Sequence, residues 1–166
     1  MIPRYSNEKV SSIWSDKNRY EIWLKIEIAI CEKLCIDKKI PKKDFLNIKR
    51  KSRIDVKDIE KLDEKTHHEV IAFLNSVSKK VGKSSRYIHQ GITSSDIIDT
   101  AFSVQLKQAT EIIISDLNNF LKVLKTKAKK YKNTICLGRT HGIHAEPTTF
   151  GLKLASFYAE MERNLK

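Results

Sequence analysis

From Ser94 to Ala128 the chain runs without a glycine or a proline, and its apolar residues recur at three- and four-residue spacing. Ile97, Ala101, Val104, Ile112, Leu117, Leu121, Leu124 and Ala128 carry that period. The spacing predicts one helix of about 35 residues, roughly 50 Å long at 1.5 Å of rise per residue. Helices of ordinary globular domains average about three turns. A helix this long cannot bury its apolar stripe inside a small globule, and it requires partners of similar length in a bundle. A second helix is expected to open near Pro147-Thr148, with Phe150, Leu154, Phe157, Met161 and Leu165 on its apolar face, and to be still running at Lys166. The expectation is an all-α chain. A small helical N-terminal domain, residues 1–93, precedes the first long helices of a central bundle, residues 94–166, which would be incomplete within this length.

The first 93 residues read as shorter helices. Asp16 can cap a helix whose apolar positions are Tyr20, Trp23, Leu24, Ile28, Cys31 and Leu34. Ile40-Pro41 marks a break, with Pro41 suited to a first helical turn. Asp55 can cap a short helix through Ile59 and Leu62. Another is expected from about His68 through Val77, stopping near Gly82, a good residue just past a helix end. Lys83 to Gln90 reads as a loop.

Composition narrows the classes of function. The net charge is +12, and a basic chain can grip nucleic acid. The lysines are spread over nearly every segment, however, and no aromatic residues alternate with them as stacking platforms for single strands require. Nucleic acid is therefore not the expected partner, although a phosphate-bearing substrate would benefit from the positive field. No run approaches the ~18–20 apolar residues of a membrane span, and Met1-Ile2-Pro3-Arg4-Tyr5 lacks the apolar stretch of a secretory signal. A cytoplasmic protein with no membrane partner is expected. Cys31, Cys35 and Cys136 show neither metal-site nor disulfide spacing, and reduced, buried thiols are expected.

Two clusters carry chemistry. Gly138-Arg139-Thr140-His141-Gly142-Ile143-His144-Ala145-Glu146-Pro147 packs an imidazole, a hydroxyl and a guanidinium between two glycines. Histidine exchanges protons near neutrality, so His141 is a candidate acid or base, and Thr140 beside it could hold a carboxylate. His141, His144 and Glu146 could instead be read as metal ligands, but an H-x-x-H pair this short is weak evidence, and no metal is expected. Upstream, Gly91-Ile92-Thr93-Ser94-Ser95-Asp96 places three hydroxyls at a helix start. Thr93 and Asp96 have the spacing of a capping box; the same N-terminus, with free N–H groups and partial positive charge, suits an anion. His67-His68-Glu69 opens a helix, with the carboxylate placed to raise the basicity of His68. His89 lies just before Thr93, and Arg4-Tyr5 pairs a guanidinium with a phenol. Together these donors describe a large anion site.

These residues resemble the adenylosuccinate lyase family of the fumarase/aspartase superfamily. The resemblance begins at Ile2-Pro3-Arg4-Tyr5-Ser6, continues through Ile13-Trp14-Ser15-Asp16 and His68-Glu69-Val70-Ile71-Ala72-Phe73, and is tightest at Gly138 to Lys153. It implies anti β-elimination of fumarate from adenylosuccinate, giving AMP, and from the succinyl-carboxamide ribotide of the same purine pathway. In that scheme His141 is the general acid, and His68 supports substrate and acid. Thr93, Ser94 and Thr140 bind carboxylates, Arg4 and Tyr5 grip the phosphate, and His89 lies near it. His67 and Glu69 complete the substrate-binding set. The resemblance implies no metal or organic cofactor, and a homotetramer whose sites are shared between protomers.

The chain departs from the family pattern at Glu69, where an aspartate is frequent, at His67, where a donor such as arginine is frequent, and at Gln90, where relatives often have tyrosine. The superfamily's Gly-Ser-Ser-x-Met-Pro-x-Lys-x-Asn loop, which carries the serine base, does not occur in these residues. The 166-residue chain alone is therefore expected to be inactive. Competing readings are another lyase of the superfamily acting on argininosuccinate or aspartate, a basic helical module binding phosphate or nucleic acid, and a non-catalytic paralogue that keeps the scaffold.

Overall fold

In the computed structural model, which describes residues 2–166, local capping chemistry sets most helix boundaries. A single 3₁₀ turn, Pro3–Tyr5, precedes α1 (Glu8–Ile13), whose N-cap Asn7 accepts a hydrogen bond from the Lys9 N–H. α2 (Asp16–Ile36) is capped by Ser15, one residue earlier than Asp16, because the Ser15 hydroxyl accepts from the Asn18 N–H at 3.2 Å. α3 (Lys42–Lys51) follows Pro41, which occupies the N-cap rather than the first turn. Asp55 caps α4 (Val56–Thr66) as expected, and α5 (Glu69–Val81) ends at Gly82, whose φ of 75° favours glycine. The polar stretch that follows is not an open loop: Gly82–Tyr87 winds into a 3₁₀ helix. α6 runs from Ser94 to Lys130, 37 residues without interruption.

The segment after α6 departs from expectation. Ile135–Thr140 (β1) and Ile143–Thr149 (β2) pair as an antiparallel hairpin. Pro147 does not open a helix; it lies in β2 opposite Leu137, where a two-stranded ribbon leaves an edge free and tolerates a residue without an N–H. α7 (Phe150–Asn164) starts behind Thr149, whose hydroxyl accepts from the Leu152 N–H at 3.2 Å. The architecture is otherwise helical throughout, as the sequence predicted.

The chain divides into two compact units, Met1–Ala109 and Thr110–Lys166. In the first, α2 and α5 meet through an aromatic cluster: Trp23 sits edge-on to Tyr20 and Phe73, with ring centroids 5.3 and 5.5 Å away. Ile40, Ile48, Ile59, Val70, Val77 and Val81 fill the rest of this core, and Ile97 and Ala101 from the start of α6 join it. Gln105 donates to the Ile13 carbonyl at 2.7 Å, which ties α6 to the end of α1. Cys31 is buried and its thiol is pushed up to about 11, by burial first and then by the charge of Glu27; Cys35 and Cys136 are half-buried, and all three are free thiols.

In the second unit the start of α7 is fastened to the turn that follows α6. The Phe150 N–H donates to Thr134 O and the Gly151 N–H to Tyr131 O, at 2.8 and 2.9 Å. Gly151 is required here: a Cβ would lie 2.5 Å from the Ala128 carbonyl oxygen and 2.6 Å from Lys132 backbone.

Candidate functional site

The first group of candidate residues sits where α4 hands over to α5. His67 ends α4 in the left-handed region (φ 48°, ψ 33°), and its N–H donates to Asp63 O at 2.8 Å. His68 is extended and caps α5: its Nδ1 accepts from the Ile71 N–H at 3.4 Å. The exposed ring thus has one nitrogen tied to the helix and Nε2 left for another partner. Glu69, the first residue of α5, turns to α2 instead of to His68. Its carboxylate accepts from the Tyr20 hydroxyl at 2.8 Å and, through both oxygens, from the Arg19 guanidinium. Arg19 also pairs with Asp16 at 2.8 Å and lies over the Tyr20 ring, 5.0 Å from its centroid. Burial, followed by the hydrogen bond to and charge of Glu69, holds the Tyr20 phenol far above the ordinary tyrosine range.

The second group lies between the 3₁₀ helix and α6. His89 adopts φ 65° and is met by Glu27 of α2. The His89 N–H donates to Glu27 Oε2 at 2.9 Å, and Nδ1 lies 2.7 Å from Oε1. Two residues later Gly91, at φ 76°, turns the chain into the start of α6. Only half of the capping box forms there: the Thr93 N–H donates to the Asp96 carboxylate at 2.7 Å, while the Asp96 N–H goes to the Thr93 carbonyl. The hydroxyls of Thr93, Ser94 and Ser95 make no hydrogen bond among the described residues, so the cap does not consume them.

Both groups therefore hang from α2. Arg19 and Tyr20 hold the first and Glu27 the second, about 10–12 Å further along the axis. Neither Arg19 nor Glu27 was singled out from the sequence. Glu27 had a signal: it lies four residues from both Trp23 and Cys31, so a carboxylate stands on the apolar stripe of α2. Arg4 and Tyr5 lie in the N-terminal 3₁₀ turn, both exposed, with the guanidinium 4.9 Å from the Tyr5 ring centroid.

Thr140 and His141 belong to the second unit. Thr140 pairs with Ile143, so His141-Gly142 forms a two-residue hairpin loop, with φ of 51° and 74°. Positive φ at both positions is the type I′ geometry that matches strand twist. The turn lifts His141 to an exposed tip, where Thr140 Oγ1 lies 2.8 Å from its Nδ1. The strands fit because of Gly138: a Cβ there would come within 2.7 Å of the Glu146 carbonyl oxygen, at the irregularity in register between Leu137 and Arg139. His144 faces Arg139 across the ladder. No group of three His, Cys, Asp or Glu side chains among the described residues could hold a metal ion.

Four non-glycine residues among those described have positive φ: Lys38, His67, His89 and His141. Such conformations are uncommon outside glycine, though asparagine, aspartate and histidine adopt them more readily than other residues, and they gather at functional sites where the surroundings enforce them. Three of the four are histidines of the candidate set.

Comparison with known proteins fixes the family. A model described as "Lyase" matches residues 4–166. The adenylosuccinate lyase of Staphylococcus saprophyticus subsp. saprophyticus is 49% identical over 166 residues, all of this chain and 38% of that protein. The chain belongs to the lyase family, and it spans 38% of the length of this curated relative. Among solved structures, a fumarate lyase from Mesorhizobium sp. BNC1 superposes with a TM-score of 0.89 at 24% identity, over 96% of this chain and 38% of that one, which is a likeness of fold. A β-carboxy-cis,cis-muconate cycloisomerase from Acinetobacter calcoaceticus sp. ADP1 gives 0.88 at 26% identity, over 96% and 39%.

Proposed function

We propose that this chain is the N-terminal portion of an adenylosuccinate lyase. The observation that carries the reading is the 49% identity to such an enzyme over the whole chain. The reaction is anti β-elimination. A base removes the proton from the succinyl carbon, the C–N bond breaks, and fumarate departs as the leaving nitrogen takes a proton. Adenylosuccinate gives AMP, and the succinyl-carboxamide ribotide gives its carboxamide, both steps of purine nucleotide biosynthesis.

In this reading His141 donates the proton to nitrogen, and its exposed position on a rigid two-residue turn suits a group that must reach a bound substrate. His68 supports substrate and acid through its free Nε2. Thr93, Ser94 and Thr140 bind the succinyl carboxylates; the unspent hydroxyls at the start of α6, beside free helix N–H groups, favour anionic charge there. Arg4, Tyr5 and His89 hold the phosphate. His67 and Glu69 frame the His68 side, Glu69 through its hold on Arg19 and Tyr20. Donors fixed where negative charge sits or develops are the largest single contribution to such a reaction. The serine base comes from the loop motif not found here, and the working form is a cytoplasmic homotetramer with shared sites. The domain division belongs to the same proposal, with an N-terminal domain at 1–93 and the start of the central bundle at 94–166.

The test is fumarate release, with adenylosuccinate and argininosuccinate offered separately, by the 166-residue chain and by a chain extended past Lys166 with the region the relatives carry. The extended chain should act on adenylosuccinate only, and His141→Ala should lower turnover by about 100-fold or more. The shorter chain should release none. Release from argininosuccinate, or activity indifferent to His141→Ala, would refute the assignment.

A further inference from the structure

Glu27 is the one charged side chain fully buried among the described residues, at 1% exposure. Helical spacing puts it between Trp23 and Cys31, where an apolar residue would pack without penalty, and a carboxylate taken out of water is costly unless fully partnered. Burial pushes its carboxyl up, against the pull of the hydrogen bonds from His89. A second cost falls on the partner, since His89 is held at φ 65°. Both costs converge on one imidazole, gripped at its backbone N–H (2.9 Å) and at Nδ1 (2.7 Å). The ring side chain is 19% exposed, and Nε2 has no protein partner among the described residues.

We propose that Glu27 is a positioning residue: it keeps a proton on His89 Nδ1 and thereby presents Nε2 to an anionic group of the substrate. The hydrogen bond made by one ring nitrogen decides what the other can do. With Nδ1–H committed to Glu27, a second proton can reside only on Nε2, where it is donated to an oxyanion while the buried carboxylate balances the ring's charge. Nδ1, by contrast, is closed to any ligand. The substrate-side half of this inference rests on the reading of His89 as a phosphate contact; the ring-nitrogen half does not.

Nitrogen-15 NMR of the histidine rings in the 166-residue chain tests the first half. Nδ1 of His89 should carry a proton in the native chain. In Glu27→Gln the side-chain amide can donate to Nδ1, so the neutral ring should carry its proton on Nε2. A proton-free Nδ1 in the native chain overturns the proposal, and needs no variant to do so; an unchanged tautomer in a folded Glu27→Gln chain overturns it too. The second half uses the extended chain with adenylosuccinate. Glu27→Gln should raise KM about tenfold, the scale of a lost hydrogen bond to a charged group, and leave kcat within about twofold, the pattern of lost uniform binding. An unchanged KM overturns the substrate-side role. Absence of activity on adenylosuccinate in the unsubstituted extended chain would sink the functional reading while leaving the NMR result to stand or fall by itself.

Discussion

The two units are built from equally regular helices, yet they bury very different amounts of themselves. In Met1–Ala109 nearly every apolar stripe meets another, and Trp23, Phe73, Ile59, Val70 and Ile97 are all but sealed from water. In Thr110–Lys166 only Leu121, Leu124 and Gly151 are buried. Ile113, Phe120, Val123, Leu152 and Phe157 remain between 43% and 63% exposed. The cause is geometric. The shorter helices of the first unit turn back on one another, whereas among the described residues little lies against the far part of the 37-residue helix. Apolar faces of this extent call for a cover, and the chain spans only 38% of the length of the curated relative.

The comparison breaks most directly at Trp23. Trp23→Ala removes the ring that Tyr20 and Phe73 pack against, and should cost about 3–5 kcal/mol. Urea unfolding followed by circular dichroism measures this from the shift in midpoint at constant slope. A loss below about 1 kcal/mol would mean that the Trp23 cluster does not hold the first unit together. Gly151→Ala probes the second unit in the same way. The added methyl would meet Ala128 and Lys132 backbone, which cannot swing aside, so about 1–3 kcal/mol of destabilisation is expected. A neutral result would show that the close approach of α7 to α6 contributes nothing to the stability of this unit.

How far the sequence foretold this structure varies with the range of the interactions involved. The long helix was legible almost to the residue, because thirty-odd positions without a breaker leave little choice; so were the Asp55 cap and the Gly82 stop, which are local chemistry. The hairpin was not. Pro147 suggested a helix start, and the polar residues between Gly138 and Glu146 hide the alternation of a strand, although His141-Gly142 between Ile135-Cys136-Leu137 and Ile143 had the form of a two-residue turn. In the candidate site, His68, His89, His141 and the hydroxyls were read from residue type and resemblance. Their supports were not, because Arg19 and Glu69 lie 50 residues apart and Glu27 and His89 lie 62 apart. Only tertiary packing joins such pairs.

The smallest effect expected is a gain, and it separates strain from packing in the second unit. His141 holds φ 51° at the first position of its turn. A histidine fits that region less well than asparagine, and Asn-Gly is the pair that type I′ turns favour most. His141→Asn keeps a side chain of modest size, and the exposed histidine's one hydrogen bond among the described residues is to Thr140. It should therefore stabilise the chain by about 0.5 kcal/mol, read as a higher urea midpoint, while abolishing the proton transfer assigned to His141. Strain that can be relieved by one substitution, at the cost of the chemistry, is strain kept for a function. A destabilised His141→Asn chain would instead make the histidine part of what holds the hairpin together, and would move the second unit closer to the first in kind.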